Sequence, residues 1–203
     1  DGTIERLIAE DDLRGMTSNP AIFEKAIAQG REYDAEIQAI LARGGRDPLA
    51  VYEAVAVADI RQAADLLAAV YRRTHTQDGY VSLEVSPELA HDAPGTLAEA
   101  RRLWQDVDRP NLMIKVPGTR TCLPVIRTLL AEGINVNITL LFAREAYSLV
   151  AEAYLAALEE RLAKGMPVDR VASVASFFIS RIDTLVDKRI DARASAAAPT
   201  DRA

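Results

Sequence analysis

The sequence predicts an α/β fold built around a parallel sheet. Strand-length apolar runs alternate with longer segments of helical periodicity, which is the signature of βα units. A helix-capping residue followed by proline comes directly after two of these runs, so we expect very short loops between strand and helix. No Gly-x-Gly-x-x-Gly pattern follows any strand, and its absence counts against a dinucleotide site.

The elements follow one another in a regular order. The predicted strands span residues 13–17, 80–85, 111–116, 134–139 and 171–175. About three helices fill the first interval as an extra helical layer, and the last of them, 47–74, begins with a capping Asp47 and Pro48. Residues 1–10 also read as helical. Five βα units suit either an open doubly wound sheet or part of an eight-stranded barrel, since a complete barrel needs about 250 residues.

Composition restricts the classes of function. The 203 residues are 49% apolar and 27% charged, which is an ordinary globular balance. A net charge of −6 without a basic patch argues against nucleic-acid binding. The single cysteine, Cys122, excludes an internal disulfide, and neither a secretory leader nor an apolar stretch of membrane-spanning length is present. We therefore expect a cytoplasmic protein with no membrane or nucleic-acid partner.

Three predicted strands carry polar residues where a parallel sheet covered by helices should be apolar. Their side chains alternate between an apolar row and a second row, and the second row holds Ser82, Glu84, Met113, Lys115, Asn135, Asn137 and Thr139. We expect this second row to face a barrel interior or a cleft. Its members crowd toward the carboxyl ends of the strands, where Asn19 would join them and where barrel active sites lie.

Lys115 has two interpretations. Only four of the 24 lysines and arginines are lysines, so a lysine inside a strand is unusual here. It forms a structural ion pair with Glu84, or its burial favours the neutral amine that attacks a carbonyl. Glu84 is correspondingly either a counter-ion or a group that transfers a proton through a water.

The other polar residues also have structural alternatives. Asn19 could serve only as a helix cap, and Asn137 and Thr139 could simply hydrogen-bond each other. Arg181, which follows Ser176 and a Phe-Phe pair, could bind a phosphate through two N–H groups or could be an ordinary surface residue of a helix.

Metal and thiol chemistry are not predicted. The two histidines, His75 and His91, do not stand with carboxylates or cysteines at metal-ligand spacing, so no metal site is expected. Cys122 precedes a helix whose terminus could activate a thiol, but no histidine lies near it in the sequence. We expect Cys122 to be inert.

Several segments, in this order, resemble the transaldolase family. Residues 15–23 contain Thr-Ser-Asn-Pro, and residues 111–119, Asn-Leu-Met-Ile-Lys-Val-Pro-Gly-Thr, are similar to the family's Schiff-base strand. Residues 81–85 resemble its glutamate strand, 137–142 the strand that follows the lysine, and 176–181 the phosphate loop. The resemblance covers residues 15–187 and is strongest to the long bacterial subgroup, some members of which are fused to glucose-6-phosphate isomerase.

The resemblance implies a partial (β/α)8 TIM barrel. The five strands would be the second to sixth of eight, in an incomplete barrel over 1–191 followed by a frayed tail over 192–203. The family's acid/base aspartate on the first strand and a second phosphate-binding arginine would then lie outside this sequence. Arg120, Thr121 and Cys122 stand where the family has a proline-rich, acidic, glycine-containing loop, so the local shape of that loop is expected to differ.

The implied activity is transaldolase chemistry of the non-oxidative pentose phosphate pathway. Lys115 would form a Schiff base with fructose 6-phosphate or sedoheptulose 7-phosphate, and a dihydroxyacetone unit would pass to an aldose phosphate without a cofactor or metal. The resemblance assigns catalysis to Lys115, Glu84 and Thr139, and substrate binding to Thr17, Asn19, Asn137, Ser176 and Arg181.

Two other functions remain open in the sequence. One is a fructose-6-phosphate-type aldolase that releases dihydroxyacetone to water. The other is a catalytically silent barrel fragment, and for the 203 residues alone we expect poor activity, because five strands cannot close a barrel. The sequence leaves the oligomeric state and a fused isomerase domain undetermined.

Overall fold

The computed structural model describes residues 2–45 and 47–196. The strands are β1 (Gly15–Thr17), β2 (Tyr80–Glu84), β3 (Leu112–Pro117), β4 (Val136–Leu141) and β5 (Ser173–Phe177). The helices are α1 (Thr3–Glu10), α2 (Pro20–Gln29), α3 (Asp34–Ala42), α4 (Pro48–Arg73), α5 (Ala93–Val107), α6 (Leu123–Glu132), α7 (Arg144–Ala163) and α8 (Ile179–Ala196). Two 3-10 turns, Pro87–Leu89 and Arg120–Cys122, follow β2 and β3.

The sheet has the architecture of a half-barrel. All neighbouring strands are parallel, and their order in space, β1-β2-β3-β4-β5, is their order in the chain. Because right-handed crossovers that always advance in the same direction place every helix on one face, the other face is left for a barrel interior. A doubly wound sheet would reverse its strand order. The structure therefore confirms the partial TIM barrel.

The helix-facing row of the strands is the core. Its members are buried, with no more than 6% of their surface exposed: Val81, Leu83, Leu112, Ile114, Val116, Val136 and Ile138. They pack with the buried faces of α4, α5 and α6 in one cluster. The predicted extra layer is present as α2, α3 and α4 between the first two strands.

The last three strands begin one to two residues later than predicted, because two asparagines at their amino ends hold other segments of backbone. Asn111 Nδ2 donates to the carbonyls of Ala64 and Gly79 at 2.9 and 2.8 Å. Asn135 Nδ2 donates to Leu112 O at 2.9 Å, and its Oδ1 accepts from Ala172 N at 2.9 Å. The amide of Asn135 therefore joins β3 to the segment before β5.

The capping predictions succeed at two helices and fail at one. The Asn19 side chain accepts from Ile22 N at the start of α2, and the Asp47 carboxylate caps α4. Ser86 and Pro87 begin only the 3-10 turn, and α5 starts later with Asp92 as its cap. A capping residue before proline marks a turn of helical backbone but does not fix its length.

The two edges of the sheet are exposed. Within the described residues β1 pairs only with β2 and β5 only with β4. Helix α8 has no buried residue, and the large apolar side chains it exposes are Ile179, Ile182, Leu185, Val186 and Ile190.

The tail predicted over 192–203 begins inside α8, which stays helical to Ala196, while 197–203 lies outside the described residues. In the described part no helix combines the length and apolarity needed to cross a membrane.

Candidate active site

Lys115 and Glu84 face each other on neighbouring strands. They are partners in the β2–β3 register, and Lys115 Nζ lies 3.0 Å from Glu84 Oε2. The side chains are 11% and 20% exposed, so the contact is largely shielded from solvent. Lys115 Nζ also donates to the carbonyl of Ser18 at 2.8 Å.

Ser18 is fixed so that its carbonyl points at the amine. Its backbone N–H and its hydroxyl both donate to the carbonyl of Ser82, at 3.2 and 2.9 Å. These two bonds tie the segment after β1 to the inner part of β2. The sequence does not indicate Ser18 as a site residue, although Ser18 stands inside the Thr-Ser-Asn-Pro segment, because a backbone acceptor has no signature in the side chain.

This arrangement permits proton transfer. As an ammonium group, Lys115 is held by two oxygens and forms an ion pair with Glu84. It becomes a nucleophile only when a proton leaves, and the Glu84 carboxylate lies within the distance required to accept one. The negative charge of Glu84 also acts on Tyr52, whose pKa is raised first by burial and then by that charge. The sequence did not indicate this effect of Glu84 on Tyr52.

A chain of polar side chains continues from the lysine across β4 to β5. Asn137 is level with Lys115 in the β3–β4 register and is 6% exposed. Its Nδ2 donates to Ser82 Oγ at 3.1 Å, and its Oδ1 accepts from Ser176 Oγ at 2.8 Å. The alternative of a bond between Asn137 and Thr139 is therefore wrong, since Asn137 uses both ends of its amide on Ser82 and Ser176.

Thr139 carries a buried hydroxyl that no described residue hydrogen-bonds. The residue is 3% exposed and lies opposite Pro117 in β3, one pleat beyond Lys115 and Asn137. Leaving such a group unpaired costs about 1–3 kcal/mol, so Thr139 is suited to bind a water or a substrate hydroxyl.

The remaining predicted residues are less closely joined to the lysine. Thr17 is level with Ser82 on β1 but exposed. Asn19 follows Ser18 and acts as the α2 cap, as its structural alternative stated. Arg181, in the first turn of α8, lies over the ring of Phe178, with Cζ 4.5 Å from the ring centroid. The strand register and the hydrogen bonds thus bring together Lys115, Glu84, Asn137 and Ser176. Arg181 lies further along the chain, in the helix that follows β5.

The cysteine lies apart from this network. Cys122 is buried at the end of the 3-10 turn after β3, with Sγ 3.6 Å from the carbonyl of Ala90. Among the described residues there is no cluster of three or more histidine, cysteine, aspartate or glutamate side chains that could hold a metal ion.

Comparison with known proteins identifies the family. Residues 2–202 match the model of Transaldolase/Fructose-6-phosphate aldolase. The chain belongs to this family. It is 50% identical over 192 residues to "Transaldolase 2" of Nostoc sp., covering 95% of this chain and 50% of that protein.

Other transaldolase-family relatives are equally similar. The protein named "Transaldolase" of Thermobifida fusca is 51% identical over 192 residues, 93% of this chain and 51% of the relative. That of Saccharopolyspora erythraea is 50% identical over 190 residues, 94% of this chain and 51% of the relative. The chain spans about half the length of the curated transaldolases it matches.

Proposed function

We propose that this chain carries the Schiff-base half of a transaldolase active site, with Lys115 as the nucleophile. The observation that carries the proposal is the contact between a buried lysine amine and the Glu84 carboxylate at 3.0 Å, on two neighbouring parallel strands. Because the chain belongs to a family of transaldolases and fructose-6-phosphate aldolases, we infer that its substrate is a ketose phosphate.

The first stage forms an imine. The neutral amine of Lys115 adds to the C2 carbonyl of fructose 6-phosphate or sedoheptulose 7-phosphate and gives a carbinolamine. Glu84, which has taken a proton from the Lys115 ammonium, donates that proton directly or through a water to the C2 hydroxyl, which leaves as water while the nitrogen lone pair forms the protonated imine. The protonated imine then withdraws electrons from C3.

The second stage transfers three carbons. Loss of the C4 hydroxyl proton to a base breaks the C3–C4 bond, releases an aldose phosphate and leaves the dihydroxyacetone enamine on Lys115. The resemblance assigns this base to an aspartate on the family's first strand, which precedes the segments that carry the resemblance. Addition of the enamine to an acceptor aldose phosphate, followed by hydrolysis of the imine, regenerates the amine.

The surrounding residues suit binding roles. We assign Thr139 to the catalytic water, because its hydroxyl is buried and has no partner among the described residues. Asn137, Thr17 and Asn19 would contact substrate hydroxyls or the imine region. Ser176 and Arg181 would bind the phosphate, since a guanidinium offers paired N–H donors to two phosphate oxygens.

The wider biological setting is part of the same proposal. It comprises the non-oxidative pentose phosphate pathway in the cytoplasm, without a cofactor. An isomerase domain fused to this barrel is compatible with the proposal, and so is any oligomeric state.

The aldolase alternative is distinguished by supplying fructose 6-phosphate to the intact protein with and without erythrose 4-phosphate. A transaldolase turns over only with the acceptor.

Reduction of the imine tests the nucleophile. Borohydride added with dihydroxyacetone or fructose 6-phosphate should attach a dihydroxyacetone-derived or hexose phosphate group to Lys115, as measured by peptide mass spectrometry. Lys115→Met should abolish the adduct, whereas Lys164→Met, at a lysine that pairs with Glu160 on the surface, should retain it. An unmodified Lys115 in the intact, folded protein would support the silent barrel and refute the proposal.

Glu84→Gln tests the proton transfer in the same assay. The amide keeps the size of the side chain but cannot accept a proton, so trapping should slow by about 100-fold or more. Glu88→Gln, at an exposed residue of the following 3-10 turn, is the matched control. Equal trapping rates in the two variants would mean that Glu84 serves only as a counter-ion of Lys115.

A further inference from the structure

Two phenylalanines and Arg181 form one stack at the carboxyl ends of β4 and β5. The rings of Phe142 and Phe178 are nearly parallel, at 18°, with centroids 5.1 Å apart. Arg181 Cζ lies 4.5 Å from the Phe178 centroid. Both distances are within the range in which aromatic pairs and cation–π contacts are attractive. We call these three residues the Phe-Phe-Arg stack.

The stack joins the ends of two strands. Phe142 comes directly after β4 and Phe178 directly after β5, and Phe178 N donates to the carbonyl of Leu141 at 3.1 Å. In parallel strands these carboxyl ends lie at the same edge as Lys115 and Thr139. The stack therefore fixes the first turn of α8, which carries Arg181, relative to the strand that carries Asn137 and Thr139.

Packing alone does not account for the stack. Phe142 is 46% exposed and Arg181 is also exposed, so little apolar surface is removed from water. Arg181 lines a surface cavity of about 340 Å³ in which the other charged residue is Lys188. In the described part of the chain the ion pairs do not include Arg181.

An aromatic face holds a guanidinium without neutralising it. A carboxylate partner would occupy the N–H donors and cancel the charge, whereas a ring beneath the plane leaves the donors at the edge of the guanidinium available. The stack thus restricts Arg181 while it keeps its full charge and its paired donors for an anion.

We propose that Phe142 and Phe178 are positioning residues that hold Arg181 ready for the phosphate group of the substrate. This inference rests on the proposed function and adds two residues to it. Phe142 acts only through Phe178, and Phe178 acts through Arg181. A surface cation–π contact corresponds to about a two- to fivefold change in binding, which sets the size of the expected effect.

The test compares a phosphorylated and an unphosphorylated ketose. For each protein, the concentration that gives half-maximal borohydride trapping at Lys115 is measured with fructose 6-phosphate and with dihydroxyacetone. In Phe142→Ala the ratio of the first concentration to the second should rise about two- to fivefold. Phe142→Tyr, which keeps a stacking ring, should restore the ratio, and Leu155→Ala, at a 56% exposed apolar residue of α7, should leave it unchanged.

The outcomes separate this inference from the proposed function. A trapped adduct in the unsubstituted protein with an unchanged ratio in Phe142→Ala overturns the positioning role alone. If the unsubstituted protein gives no adduct with either ketose, the proposed function fails and the inference fails with it.

A second measurement does not depend on catalysis. A guanidinium above a ring experiences the ring current, so the Nε–Hε proton signal of Arg181 in the NMR spectrum should move downfield in Phe178→Leu. An unmoved signal would overturn the stack. Where Phe178→Leu does not fold, Phe142→Ala is measured instead, and the signal should then broaden or shift because the supporting ring is gone.

Discussion

Lys115 is held by two oxygens that come from distant parts of the chain. The carbonyl of Ser18 lies 97 residues earlier in the sequence and the carboxylate of Glu84 lies 31 residues earlier. The alternation of apolar and polar residues predicted that Glu84 and Lys115 share a face. It could not predict the contact with Ser18, which depends on two hydrogen bonds from Ser18 to the backbone of β2.

Tyr33 is expected to make stability depend on pH in the alkaline range. Burial, followed by the hydrogen bond to Asp59, raises the pKa of Tyr33 above its ordinary value near 10. Because the folded state disfavours the phenolate, this contribution to stability is complete below pH 10 and is lost as the pH rises above it. After solvent screening the loss should be about 1 kcal/mol or less.

Urea unfolding at pH 8 and pH 11 checks this expectation. Tyr33→Phe should show a smaller fall in the free energy of unfolding between the two pH values than the unsubstituted protein. Tyr147→Phe, at a 45% exposed tyrosine, should show the same fall as the unsubstituted protein. Identical behaviour of the two variants would mean that Tyr33 ionises equally well in the folded and unfolded states.

At the scale of single elements, β4 contains a bulge that directs its side chains. Ile138 pairs with Ala175 and Leu141 with Phe177, so three steps along β4 match two along β5. The additional residue places Leu141 in the helix-facing core, fully buried, while Thr139 remains on the inner face. Strict alternation would have put Leu141 on the inner face, and this is why the sequence alone could not predict its place.

One residue of the bulge, Leu140, has a strained backbone conformation. Leu140 has a φ of 61°, in the left-handed region that costs a non-glycine residue about 1–2 kcal/mol. Leu140→Gly should remove this strain. After subtracting the greater freedom of glycine in the unfolded chain, we expect a net stabilisation of up to about 1 kcal/mol.

Chemical unfolding of two glycine variants tests the strain. Leu140 is 42% exposed, so its side chain contributes little burial. Leu155→Gly, at a residue of similar exposure in the middle of α7, should destabilise by about 1 kcal/mol because the same change there has no strain to relieve. A loss of stability in Leu140→Gly as large as that in Leu155→Gly would argue against strain at the bulge.

At the scale of the whole molecule, the described sheet is an open half-barrel with two exposed edges. Helix α8, which follows β5 in the chain, exposes an apolar stripe and buries no residue. Open strand edges and contiguous apolar patches both favour association between chains. We therefore expect this chain to associate in a concentration-dependent manner.

Light scattering over a range of concentrations measures this association. The double variant Ile182→Lys and Leu185→Lys should lower the average mass at a given concentration, because it adds charge to the stripe. Ala194→Lys adds a charge to α8 without removing a large apolar side chain and is the control. A monomeric unsubstituted chain at high concentration would refute the expectation.

The amino-acid sequence alone predicts the five βα units, the caps of α2 and α4, and the separation of an apolar row from a polar one. It also carried the motifs of the transaldolase family. These features depend on local rules, namely the period of two in strands and the preference of particular residues for helix starts.

Which polar groups meet depends on the tertiary structure. The contact of Ser18 with Lys115, the amide of Asn137 between Ser82 and Ser176, and the ring pair of Phe142 and Phe178 each join segments far apart in the chain. The register between strands and the direction of each loop set these distances. Both arise from the packing of all five strands with their helices, which no local pattern in the sequence encodes.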